Sequence, residues 1–116
     1  MRATNAVARK RRHKRVLKAA KGFRGSRSKT YRKARETLMR AGNFAYRDRR
    51  VRKREYRQLW IVRINAAARA GGMNYSTLMS GLRKAGVEID RKQLSEVAIH
   101  DPTTFASLMD TARAAG

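Results

Sequence analysis

An all-α fold, with a long basic N-terminal helical extension followed by a small four-helix globular domain, is what this sequence predicts. Three observations carry it. Residues 1–57 hold 23 Lys and Arg against Glu36, Asp48 and Glu55, a net charge of +20, whereas residues 58–116 hold seven against five acidic residues, a net +2. Apolar residues recur at helical spacing from Tyr31 onward, and no period-two alternation long enough for a strand competes with them. The last third is punctuated by Asn74, Asp90 and Asp101-Pro102, each placed where a helix would start. A chain of 116 residues allows one or two small domains. The charge map draws them as 1–57, the basic extension, and 58–116, the small helical domain.

From Met1 to Arg35 no residue is acidic and 15 of the 35 positions are Lys or Arg. Arg9-Lys10-Arg11-Arg12-His13-Lys14-Arg15, followed by Val16, Leu17, Ala19 and Ala20, predicts one short helix whose apolar face is too thin to fold alone. Gly22-Phe23-Arg24-Gly25-Ser26-Arg27-Ser28 reads as a hinge whose backbone is free to approach a phosphate closely. Ser28 is the expected N-cap of a long helix with weak apolar spacing at Tyr31, Ala34, Leu38, Ala41 and Ala45, kinked at Gly42-Asn43 and stopped by Gly71-Gly72. At 1.5 Å per residue that helix would be roughly 60 Å long.

A helical wheel locates the change of environment along it. With Trp60 at zero, Ile64, Ala68, Ile61 and Ala67 fall within about 120°, a core-facing stripe that includes Trp60 itself. Carried backward, the same arc holds Arg57, Lys53, Arg50 and Arg49, with Arg47, Arg52 and Arg54 on other sides. A helix ringed by cations has no protein surface to pack on and suits a channel walled by phosphates. Tyr31, Tyr46 and Tyr56 sit among these arginines, where stacking on RNA and helix packing are both open. The domain then follows: Asn74 caps Tyr75, Leu78, Met79 and Leu82 up to Gly86. Asp90 with Gln93 opens Leu94, Val97 and Ala98 in a capping-box pattern, and Asp101-Pro102 opens Phe105, Leu108, Met109 and Ala112.

The sequence excludes much. With no cysteine there is no disulfide framework, thiolate zinc site or cysteine nucleophile. No apolar run approaches about 18 residues, so a soluble chain, neither membrane-spanning nor exported, is expected. Neither His13 nor His100 has a carboxylate at a catalytic spacing, and Asp48 and Glu55 read as charge balance among arginines. Gly22 and Gly25 follow no strand, and no Gly-Lys-Ser/Thr occurs. No enzyme activity, metal site or cofactor is expected. What remains is binding of a polyanion by Arg9, Lys10, Arg11, Arg12, His13, Lys14, Arg15, Lys18, Lys21, Arg24, Arg27, Lys29, Arg32, Lys33 and the cations from Arg47 to Arg57, with Tyr46 available to stack.

The stretch Ala45-Tyr46-Arg47-Asp48-Arg49-Arg50, continuing through Lys53, Arg57, Leu59-Trp60-Ile61, Arg63-Ile64-Asn65 and Arg69, resembles the bacterial large ribosomal subunit protein 20 family. The resemblance extends to Arg12-His13-Lys14, Lys21-Gly22-Phe23-Arg24-Gly25, Asn74-Tyr75-Ser76, Gly81-Leu82 and Asp90-Arg91-Lys92; Ala3-Thr4-Asn5-Ala6 replaces the more basic opening of the family. It implies a basic helical extension threaded into large-subunit ribosomal RNA, a small helical domain that also binds RNA, and a role early in subunit assembly beside neighbouring large-subunit proteins. Some members also repress translation of their own messenger. Arg47, Arg49, Arg50, Arg52, Lys53, Arg54 and Arg57 would be the central RNA contacts, with Asn65 and Arg69 on the side of the helix away from the core. The expected place is a cytoplasmic ribosome, an organellar one not being excluded by the sequence. The reading from another class is a DNA-compacting architectural protein, which shares the charge and the salt-sensitive affinity.

Overall fold

A computed structural model of the chain describes residues 6–116; the departure from the family opening at Ala3-Thr4-Asn5 lies outside them. The described residues form five α-helices and one 3-10 turn, with no strand: α1 (Ala6–Ala19), the turn Gly25–Ser28, α2 (Tyr31–Ala70), α3 (Tyr75–Lys84), α4 (Arg91–His100) and α5 (Pro102–Ala115). The chain divides into two compact units, Met1–Arg50 and Val51–Gly116.

In the first unit, α1 forms where the cationic run meets Val16 and Leu17. The only fully buried hydrophobic residues described there are two alanines, Ala20 and Ala34. Two methyl groups are a small core. His13 and Tyr31 stack with ring centroids 3.9 Å apart and 13° between planes, so Tyr31 is used for packing between α1 and α2. The expected N-cap is corrected: Ser28 belongs to the 3-10 turn, its hydroxyl donates to the Gly25 carbonyl at 3.0 Å, and α2 begins after Thr30, whose carbonyl accepts from Ala34 N–H. Ser28 is spent on a tighter local turn, the competition that short hydroxyl side chains offer to helix starts. α2 continues through Gly42-Asn43 as α-helix. One glycine costs a helix about 1 kcal/mol relative to alanine, which weakens it without ending it.

In the second unit the punctuation falls where the sequence places it. Asn74 Oδ1 accepts from Thr77 N–H at 2.8 Å, and Asp90 and Gln93 exchange side-chain and backbone hydrogen bonds in a capping box. Asp101 Oδ1 accepts from Thr104 N–H at 3.1 Å ahead of Pro102. Hydrogen bonds from the Thr103 and Thr104 hydroxyls and from Thr104 N–H stabilise the carboxylate and hold the Asp101 pKa down at about 2, against an ordinary 3.8. The cap is fully present above pH 3.8 and is lost as pH falls through about 2. α2 and α3 end alike: Met73 N–H reaches back to Ala68 C=O and Gly72 N–H to Arg69 C=O, while Val87 reaches Leu82 and Gly86 reaches Arg83. Gly72 and Gly86 have φ of 84° and 72°, the left-handed conformation this C-cap requires.

These caps aim four helices at one core: Ile64 and Ala68 from α2, Leu78 and Leu82 from α3, Leu94 from α4, and Phe105, Met109 and Ala112 from α5. Trp60 is corrected from core to half-exposed; it stacks on Tyr56 with centroids 6.1 Å apart. It lies one turn N-terminal of Ile64, and the apolar stripe is closed over by protein only from Ile64 onward.

Ser95 is the one buried polar residue described, with no hydrogen-bond partner for its hydroxyl among the described residues. An orphaned hydroxyl costs about 1–3 kcal/mol of desolvation. Ser95→Ala is therefore expected to stabilise the domain by about 1 kcal/mol, read as a rise in the urea midpoint at unchanged m-value. A lower midpoint would mean that the hydroxyl is satisfied.

Candidate nucleic-acid interface

Every Lys and Arg expected to meet a polyanion, from Arg9 through Lys33 and from Arg47 through Arg57, together with Arg69, is solvent-exposed. Helix formation spreads them. At 100° per residue Arg47, Arg49, Arg50, Arg52, Lys53, Arg54 and Arg57 point to all sides of α2, and residues 41–50 are exposed without exception. In this set two cations pair with carboxylates among the described residues, Arg32 with Glu36 at 3.4 Å and Arg47 with Asp48 at 2.9 Å. Both pairs are exposed, where such bridges are worth about 0–1 kcal/mol. A phosphate can displace either carboxylate at little cost.

Aromatic rings fix several of these arginines. The Arg50 guanidinium lies 4.7 Å from the Tyr46 ring centroid and donates to the Tyr46 hydroxyl at 2.7 Å. Phe44, 41% exposed, has the guanidinium carbons of Arg40 and Arg47 at 5.6 and 4.3 Å from its centroid. Phe44 and Arg40 were not among the residues expected to make contacts. The signal for them was present as an aromatic flanked by arginine at i−4 and i+3, the positions that share its face.

On the domain, Arg69 is exposed near the end of α2. Asn65 is corrected: it is half-buried beside the core, and its Oδ1 accepts from the backbone N–H of Tyr75 at 3.2 Å, tying α2 to the start of α3. Its NH2 group is left to donate to a ligand. Arg91 donates to the Tyr75 hydroxyl at 2.8 Å, and Arg113 donates to the Gly71 carbonyl. His100 pairs with Glu96 at 3.2 Å along α4. Among the described residues no three His, Asp and Glu come together as a metal-binding group, and no helix is long and apolar enough to cross a membrane.

A polycationic all-α protein, with its charge concentrated in its N-terminal half and its core in a small bundle, is the class these features define. The chain belongs to the ribosomal protein L20 family, whose sequence model matches residues 2–108. It is 57% identical over 113 residues to the large ribosomal subunit protein bL20 of Albidiferax ferrireducens, covering 97% of this chain and 95% of that one. It is 54% identical over 114 residues to the proteins of that name from Aeromonas hydrophila and Aeromonas salmonicida, covering 98% of this chain and 97% of each relative.

Proposed function

We propose that this protein is a structural constituent of the large ribosomal subunit that binds large-subunit ribosomal RNA directly and supports early subunit assembly, without catalysis. The observation that carries this reading is similarity along nearly the whole chain to proteins named as large-subunit components. The charge map supplies the physics. Exposed cations on all sides of a helix neutralise phosphates of several RNA strands at once, and each contact releases counterions. Such contacts carry affinity and no sequence information. Selection of the site falls to the domain, whose net charge of +2 over residues 58–116 forces it to fit one RNA shape with donors held by a packed core, Arg69 and the Asn65 amide among them. Neighbouring large-subunit proteins complete its surroundings on the ribosome. A messenger segment folded into the same RNA shape would compete for the same residues, which gives self-repression a physical basis.

The test uses the full chain. The protein is expected to follow the large subunit through a gradient, to be released by ribonuclease, and to bind large-subunit RNA against excess transfer RNA and duplex DNA. Arg69→Ala should reduce the preference for the cognate RNA, while Arg52→Ala should weaken all nucleic acids alike. Release by deoxyribonuclease instead, or equal competition by duplex DNA, would replace this reading with the DNA-compacting one.

A further inference from the structure

Among the cationic residues of α2, Phe44 alone of the described rings has two guanidiniums against it. A bare run of arginines repels itself, so its guanidiniums splay into solvent and each must be ordered when it meets a phosphate. Arg40 and Arg47 are instead held against one ring, with guanidinium carbons 5.6 and 4.3 Å from the Phe44 centroid. They start seven residues apart, about 10 Å along the helix axis, and both lie against the one ring between them. Asp48 accepts from Arg47 Nε at 2.9 Å, an exposed pair that a phosphate can displace while the ring contact stays. Phe44 itself is 41% exposed and contributes to no buried core.

We propose that Phe44 is a positioning residue for RNA: its ring holds the Arg40 and Arg47 guanidiniums at a fixed separation so that they engage two phosphates of RNA together. This deepens the ribosomal RNA reading and rests on it. Because the ring carries no charge, it changes the ordering cost of two contacts without changing how many phosphates are neutralised. Its signature is therefore a change in affinity at constant salt dependence. A ring that stacked directly on a base would act independently of the two arginines, and that distinction is measurable.

The experiment measures binding of full-length protein to large-subunit RNA across a salt series, for wild type, Phe44→Leu, Phe44→Trp, Arg40→Gln/Arg47→Gln and the triple variant with Phe44→Leu. Leucine keeps the helix and the apolar volume but removes the π face. Phe44→Leu is expected to weaken binding about fivefold, the low end of the ordering cost of two long side chains, with an unchanged slope of log K against log salt. Phe44→Trp should restore wild-type affinity. The arginine double variant should lower the slope by about 1.5, and adding Phe44→Leu to it should change nothing further. A Phe44→Leu effect that persists in the arginine-free background, or no effect of Phe44→Leu at all, overturns the proposal. Failure of the underlying reading looks different: wild type itself would show no preference for large-subunit RNA over duplex DNA, whatever residue stands at position 44.

Discussion

Raising monovalent salt from about 50 to about 200 mM is expected to weaken RNA binding by the intact chain by about 1,000-fold or more, the loss that follows from neutralising six or more phosphates. Residues 1–50 carry 19 Lys and Arg against two acidic residues, and every one of the described cations expected to make contacts there is exposed. Residues 51–116 hold 11 against six, and two of those 11, Arg91 and Arg113, already donate to Tyr75 and Gly71. The fragment 51–116, one of the two compact units, should therefore show less than roughly half the slope of log K against log salt given by the intact protein. Fluorescence anisotropy on a labelled RNA fragment over the salt range reads both slopes. Equal slopes would place the phosphate contacts within residues 51–116 and refute a dominant share for the cations before them.

Gly81→Val should unfold the domain at moderate temperature. A Cβ at Gly81 would lie 2.8 Å from the carbonyl carbon and from the Cβ of Ala112, backbone and near-backbone atoms of α5 that cannot step aside alone. Separating α3 from α5 opens the contact that holds Leu78 and Leu82 against Phe105 and Met109. Overpacking of this kind costs about 3 kcal/mol or more, in a domain of a size whose total stability is about 3–5 kcal/mol. Gly71→Ala is the control. Its Cβ would fall on Met109 Cε, the far end of a flexible side chain, and lie 2.8 Å from Sδ, so the methionine must swing aside in the core and a smaller loss of about 1–2 kcal/mol is expected. Thermal melts followed by helical circular dichroism separate the two, and a Gly81→Val melting point within a few degrees of wild type would show that the helices can part at little cost.

The caps of the second unit were legible because each is a local event: Asn74, Asp90 with Gln93, and Asp101 with Pro102 need only their own next three residues to form a hydrogen bond. The same locality misled at Ser28, where two short-range partners compete and the 3-10 turn takes the hydroxyl. Trp60 and Asn65 were misplaced for a longer-range reason. A wheel gives the direction of a side chain but not how far along the helix its neighbours extend, and the four-helix core closes only from Ile64. Gly81 is the clearest limit. Inside an otherwise regular helix its pattern says nothing, and its cause is the approach of Ala112, 31 positions away in sequence. Among the candidate contacts, cation exposure followed from charge density, while the sharing of Phe44 by two arginines was written in their i−4 and i+3 spacing and went unread.

Trp60 has an optical consequence. It is the only tryptophan in the chain, half-exposed, stacked on Tyr56 and placed three residues from both Arg57 and Arg63. Its emission therefore belongs to a single indole at the point on α2 where the cationic surface gives way to the core, and the nearby guanidiniums enrich an anionic quencher such as iodide around it. Bound polyanion would replace that quencher and shield the ring. The chain thus carries an unlabelled spectroscopic reporter where the arginines of α2 give way to its apolar stripe, readable in a cuvette without touching any residue.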